Sequence, residues 1–517
     1  MGQEREQLPV HLTGEQPLIE QAAHSTATIV DSWAGPVQVE WDDTAALTPH
    51  GQMPFFINYL KVAGVFDSLV ADCPLAYRSP NAPKKRDVLG TTMFSILAGH
   101  KRYAHITTLR CDGVLPELLN MTKIVSEDAV RRAFKSIGED EGARWMQRHL
   151  DYCTAPLLSE PWILDMDSTV KPLYGHQDGA VQGYNPKKPG RPSHVYHTYM
   201  LAGLRLVLDV EVAAGNQHTS NHAAPGLWAL LDRIGHDCRP AILRGDSGFA
   251  TEGIMREAEQ RNLPYLFKLR QTANVKRLIK RTFSRNDWRD ADQGWEGRSD
   301  SLRLEGWSRE RHVVILRRRL KEGLAVTNRM GADQMLLGFA EIGPATEAYE
   351  YAVLVTSLDE EPLTLAQLYR DRADSENPFD ELKNQWGWAG FTTRDLARCR
   401  IMARFIALVY NWWNLFVRLA EPDKHLEAVT SRPLLLSAIA ARSRHARQTT
   451  LKVSSSHAKA GWAASVLSGI ARFLRGLIQS AEQLTAEQRW RQILAHAMRG
   501  VLGGRQLSLP ARLTAPT

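Results

Sequence analysis

Three acids in this chain of 517 residues stand where a carboxylate calls for a chemical reason. Asp167 lies in Trp162-Ile-Leu-Asp-Met-Asp-Ser-Thr-Val, and Asp246 in Arg244-Gly-Asp-Ser-Gly-Phe. Glu376 closes the run Tyr369-Arg-Asp-Arg-Ala-Asp-Ser-Glu. Clustered carboxylates repel one another unless cations sit between them, and hard oxygen ligands of this kind suit Mg²⁺ or Mn²⁺. Two such ions about 4 Å apart activate an attacking water or hydroxyl and stabilise the leaving oxygen in phosphoryl transfer. No acid–base histidine is then needed. Taken singly, each acid is better explained by a helix cap or an ion pair; taken together, on this strand order, the balance reverses. Asp165, on the same strand face as Asp167, is a second candidate for the first position.

The surroundings of Glu376 add a separate pattern. Tyr369, Arg372, Glu376 and Lys383 are spaced i, i+3, i+7 and i+14. On one continuous helix, at about 100° per residue, they fall within an arc of about 60°. A tyrosine, two cations and an acid on one face would hold a phosphate backbone against a metal. Pro378 either kinks that helix or marks its first turn.

The elements that must position these residues follow from periodicity. Residues 1–155 read as mainly helical, with Ser126 an N-cap before two acids, and serve DNA end binding or dimer contacts. At Pro161 the pattern changes. Trp162–Val170, His194–Leu201 and Leu204–Val212 alternate as strands, and Gly203 suits a hairpin between the last two. Ser220–Ile234 and Thr251–Asn262 read as helices, Ala241–Asp246 and Pro264–Leu269 as short buried strands. The order β-β-β-α-β-α-β over 156–269 puts Asp167 and Asp246 at strand ends, where open α/β folds bind ligands. Residues 270–345 break the rhythm with short basic strands, 346–425 return to a strand and long helices, and 426–517 read as helical and basic. The expected class is therefore α/β, a mixed-sheet core flanked by helical regions.

Composition excludes several alternatives. Hydrophobic residues at 44% and charged residues at 23% are ordinary globular values. The five cysteines are scattered without a CxxC pair, which disfavours a zinc ribbon or disulfide framework and suits a reducing cytoplasm. The N-terminus lacks a signal-peptide core, and the most apolar stretch, between Arg404 and Arg418, is shorter than the roughly 20 residues of a membrane span. The expected partner is thus not a membrane. The net charge of +7 is unevenly spread. Residues 268–319 hold fifteen Lys/Arg against seven Asp/Glu, and 442–517 hold twelve against two. Two basic segments around a more acidic body fit either a polyanion partner or solvated basic faces.

Together these blocks resemble a bacterial insertion-sequence transposase of the DDE class, in the branch with a Tyr-x₂-Arg-x₃-Glu-x₆-Lys signature. Tyr369, Arg372, Glu376 and Lys383 match that spacing, and Asp167 and Asp246 match the two family aspartates. The similarity covers roughly residues 85–425. It implies an RNase H-like core with a β-rich insertion before the glutamate, and two Mg²⁺ ions on Asp167, Asp246 and Glu376. It also implies cut-and-paste transposition by a homodimer on paired double-stranded DNA ends, in the bacterial cytoplasm and on the nucleoid. The rivals are an RNase H-like nuclease without strand transfer and an inactive DNA-binding derivative.

Lys187, Lys188 and Arg191 occupy a Gly/Pro loop between the first two strands, where they either contact phosphate or form an ordinary solvated loop. His194, His197, His218 and His222 lack the spacing of a zinc site. The resemblance implies second-strand cleavage through a DNA hairpin, with an aromatic residue of the insertion holding a flipped base. Of Trp288, Trp295 and Trp307, Trp295 is the best placed, between Gly294 and Gly297 on what reads as a flexible turn. Packing inside a small β-domain is the ordinary alternative.

Overall fold

The computed structural model describes residues 27–77, 79–186, 188–319, 349–372, 376–503 and 507; of Ser220, Asn221 and Glu376 it describes the backbone only. The chain divides at Ala45. In the first unit, Thr28–Ser32 and Gly35–Val39 pair as an antiparallel hairpin that sequence periodicity did not predict.

The second unit is built on a nine-stranded mixed sheet. Its strands are β1 Ile163–Pro172, β2 Ser193–Leu201, β3 Leu206–Ala214, β4 Ile242–Gly245, β5 Tyr265–Lys268, β6 Arg289–Asp290, β7 Trp295–Leu302, β8 Arg311–Arg319 and β9 Tyr349–Thr356. Their order is β3-β2-β1-β4-β5-β9-β8-β7-β6. Strands β1 to β3 form an antiparallel meander, and β4 and β5 run parallel to β1. The order 3-2-1-4-5 with these directions is the RNase H-like arrangement expected from β-β-β-α-β-α-β.

Strands β6 to β8, from the basic segment after residue 269, continue this sheet and do not form a separate one. The link is β9, which pairs antiparallel with β5 on one side and β8 on the other. Side-chain alternation divides β8 and β9 between two cores. Val313, Ile315, Val353 and Val355 join the main core, whereas Val314, Leu316, Ala352 and Leu354 pack with Leu365 and Ala366.

On the β3 side the sheet is closed by the helix Leu396–Ala420, which Asp395 caps by accepting from the backbone N–H groups of Ala397 and Arg398. Tyr410, Trp412, Trp413 and Phe416 are buried there. Asn411 exchanges two hydrogen bonds with the backbone of Val207, at 2.8 and 2.7 Å, satisfying edge groups at a β2–β3 bulge. Asp209 on β3 is held by Arg404 at 2.7 Å and Arg233 at 3.2 Å.

The basic C-terminal region is partly core. Ala440–His445 and Gln448–Val453 form a hairpin against residues 47–48. Leu467, Leu474, Trp490, Ile493 and Leu494, from two following helices, are buried. No single helix among the described residues is long and apolar enough to cross a membrane.

Candidate active site

Strands β1 and β4 bring the first two acids together. Their parallel register pairs Asp165 with Arg244 and Met166 with Gly245. One residue further along, Asp246 lies just past the end of β4, next to Asp167, which the sequence placed near a strand end but which sits midway along β1 because that strand runs on to Pro172. Residues in register share a face, so Asp165, Arg244 and Asp167 lie on one side of the sheet.

The two acids of β1 have different neighbours. Asp165 is buried and receives a two-pronged ion pair from Arg244, Nε to Oδ1 at 2.5 Å and Nη2 to Oδ2 at 2.7 Å. Arg244 also donates to the carbonyl of Leu368, in the helix Pro362–Arg370. The Asp165–Arg244 pair is therefore a brace between sheet and helix. Asp167 is only half-buried; its Oδ1 accepts from the Ser168 N–H at 2.7 Å, and its Oδ2 lies 2.8 Å from Nη2 of Arg372.

Burial opposes the charge on Arg372. The attraction of Asp167, then Tyr369, Asp246 and Asp165, outweighs that cost and holds its pKa above the ordinary arginine value. A fixed cation thus sits among the aspartates. Asp246 accepts from the Gly248 N–H at 2.9 Å. A Cβ at Gly248 would come within 3.1 Å of both the Asp246 carboxylate and Thr219, which explains a glycine there. Thr219 in turn donates to Ser168 at 2.8 Å, joining the ends of this site.

The single continuous helix expected from Tyr369 to Lys383 is not formed. One helix ends at Arg370, Asp371 and Arg372 continue as a 3₁₀ turn, and a second helix runs Glu376–Asn384. Pro378 is the third described residue of that second helix. Tyr369 is half-buried against the Leu365 and Ala366 cluster, and Lys383 is half-buried on the second helix. The side chain of Glu376 lies outside the described residues, and among those described no three acid, histidine or cysteine side chains converge as a metal site.

Trp295 opens β7 and does not ride on a free turn. Its ring is half-buried beside Leu365 and Ala366, with the Arg318 guanidinium 4.9 Å from its centre. Arg370 donates to the carbonyl of Ala291 at 2.7 Å, tying this turn to the helix that leads to Arg372. Trp288 lies beneath Arg317 at 3.9 Å, and Trp307 is buried. Lys187 lies outside the described residues, while Lys188 and Arg191 are exposed. His194 pairs with the Asp178 carbonyl at 2.8 Å, and His197 is buried behind Ser168 on β2. Sequence reasoning missed the brace by Arg244 and the link through Thr219. The period-two match of Asp165 and Arg244 on adjacent strands was a signal for the first; nothing local marked the second.

The order 3-2-1-4-5, with Asp167 on β1 and Asp246 just past β4, gives the sheet an RNase H-like arrangement. Residues 65–474 match the family described as Transposase DDE domain group 1, and the chain belongs to that family. It is a DNA transposase by descent. No curated protein matches it in sequence. Among solved structures, the cryo-EM structure of a piggyBac transposase synaptic complex with hairpin DNA covers 87% of this chain and 86% of its own, at 11% identity and a TM-score of 0.35.

Proposed function

We propose that this transposase cuts DNA at the ends of an insertion sequence and joins them to target DNA, a cut-and-paste reaction at Asp167, Asp246 and Glu376. The observation that supports it best is the placement of Asp167 on β1 and Asp246 just past the parallel β4, with buried Arg372 paired to Asp167 and within electrostatic reach of Asp246 and Tyr369. The donor set fits divalent cations. Arg244 balances Asp165 and Arg372 balances Asp167, so Asp246 and Glu376 bring negative charge that hard cations neutralise. Mg²⁺, with Mn²⁺ able to substitute, would be held as two ions by Asp167, Asp246 and Glu376. When bound, the ions supply an activated water or 3′-hydroxyl and stabilise the leaving oxygen.

The protein's own part is positional. The Asp165–Arg244 brace fixes β1 against β4, and Arg372 restricts Asp167 to one rotamer. Tyr369, Arg372 and Lys383 orient the scissile strand, with Lys187, Lys188 and Arg191 on the β1–β2 loop reaching more distant phosphates. Trp295, packed on the same helix as Tyr369, is the aromatic of this set. Action on two element ends at once calls for a homodimer on double-stranded DNA.

The test is a strand-transfer assay with a donor end carrying a free 3′-OH, with and without Mg²⁺. Joined product that disappears in Asp167→Asn, Asp246→Asn and Glu376→Gln, with end binding retained, supports the reading. Hydrolysis without joining would reassign the protein as a nuclease, and binding without either reaction as an inactive derivative.

A further inference from the structure

The loop between β1 and β2 carries a group that the reading above leaves unexplained. Tyr174, just past the end of β1, is 67% exposed. Two cations close on its ring: Lys188 Nζ lies 5.0 Å and the Arg191 guanidinium 4.8 Å from its centre. Lys188 also donates to the phenol oxygen. That hydrogen bond, with the nearby charges of Lys188 and Arg191, holds the phenol below its ordinary pKa. Among the described residues neither cation is paired with a carboxylate. Two like charges gathered on one exposed ring, with no acid between them, leave the cluster in want of an anion.

The loop is built to keep this arrangement. Asn185 is 4% exposed and works as its inner staple, accepting from the Lys188 N–H at 3.1 Å and donating to the Arg191 carbonyl at 3.4 Å. The Arg191 N–H returns to the Lys188 carbonyl at 3.1 Å, around Gly190 at φ +75°. At Gly183 a Cβ would fall 1.8 Å from the Gly215 carbonyl oxygen, so the loop is also held against the end of β3 by a contact only glycine permits. Cations on a pinned loop lose less freedom on binding than cations on a loose one.

We propose that Tyr174, Lys188 and Arg191 form a docking point for one phosphate of duplex DNA. The inference rests on the DNA-processing reading and adds Tyr174 to it. The ammonium and guanidinium supply charge-assisted hydrogen bonds, and the phenol O–H, already accepting from Lys188, is free to donate outward. Such a contact sets the position of the duplex and carries no sequence information.

The experiment is fluorescence anisotropy of the full chain on a labelled duplex of arbitrary sequence, across a range of salt concentrations. Lys188→Gln with Arg191→Gln should flatten the plot of log affinity against log salt by about 0.9, the value for one phosphate, with the melting temperature unchanged. Tyr174→Phe keeps the ring beneath the cations and removes only the hydroxyl. It should weaken binding about threefold, the effect of one hydrogen bond, without changing the slope. A double variant with the parent's slope and affinity would overturn the proposal, and a Tyr174→Phe protein binding like the parent would remove the hydroxyl from the site. A parent chain that binds no duplex would overturn the DNA-processing reading as well, so the two failures are distinguishable.

Discussion

Replacing Asp165 and Asp167 one at a time should separate a brace from a reacting group. In the Asp165–Arg244 pair both side chains are no more than 4% exposed, and both carboxylate oxygens are engaged. Asp165→Asn strands the guanidinium in the interior. Breaking a buried pair in this way costs about 3–5 kcal/mol, which at roughly 2–4 °C per kcal/mol lowers the melting temperature by about 10 °C. Asp167 is 18% exposed and its partner Arg372 9%, so its loss falls between the buried and surface limits, at about 1–2 kcal/mol. The assays are thermal unfolding and Mg²⁺-dependent cleavage of the DNA flanking the gene. Asp167→Asn should lose only that smaller amount of stability and be inactive. Asp165→Asn should be much less stable yet should cleave at temperatures where it remains folded. Adding Arg244→Gln to Asp165→Asn should recover part of the lost stability, because a neutral pair replaces a stranded charge. An Asp165→Asn protein that melts like the parent and cannot cleave, beside an active Asp167→Asn protein, would refute the reasoning and move the first acid to 165.

Three further outcomes follow from single contacts. Arg372→Ala leaves Asp167 without its cation, at a cost of about 3 kcal/mol, and thermal unfolding should show that loss partly restored by millimolar Mg²⁺. Burial, helped by His222 and His218 against a hydrogen bond at Gln217, lowers the His197 pKa from 6.5 to about 4. The folded state therefore resists protonation that the unfolded chain accepts. This group's stability is complete above about pH 6.5 and falls as pH drops toward 4, by about 3 kcal/mol in total; urea titrations should show His197→Gln flattening that dependence. Trp490 is 1% exposed and donates to the Tyr152 carbonyl at 3.2 Å, so Trp490→Ala should cost about 3–5 kcal/mol. The basic C-terminal region would then prove to be packing as well as charge, and removing it would unfold the protein instead of merely weakening salt-dependent DNA binding.

The meander and the two parallel strands were legible because each element carries its own signal. Met166 and Leu164 alternate with Asp165 and Asp167, and Gly203 at φ +71° turns β2 into β3. Elements exposed on both faces were not legible in this way. The hairpin at residues 440–453 was read as part of a helical region, since Arg442, Arg444, Thr449 and Lys452 leave no apolar period to detect. Its stability comes from pairing with residues 47–48, nearly four hundred positions away along the chain. The joining of β8 to the core was hidden for the same reason. Pairing of β9 between β5 and β8 is a non-local choice, and local periodicity says only that each is a strand.

At the site, residue types were more legible than backbone path. The spacing of Tyr369, Arg372, Glu376 and Lys383 suggested one helical face, yet the chain leaves the α-helix at Arg370. The reason lies in what Arg372 must reach. Arg244 holds the helix end to β1 through the Leu368 carbonyl, and the 3₁₀ turn that follows delivers Arg372 to Asp167. A proline in the interior of an unbroken helix would clash with the preceding turn at about 3 kcal/mol. The helix that carries Pro378, Glu376–Asn384, is a separate one from the helix that ends at Arg370.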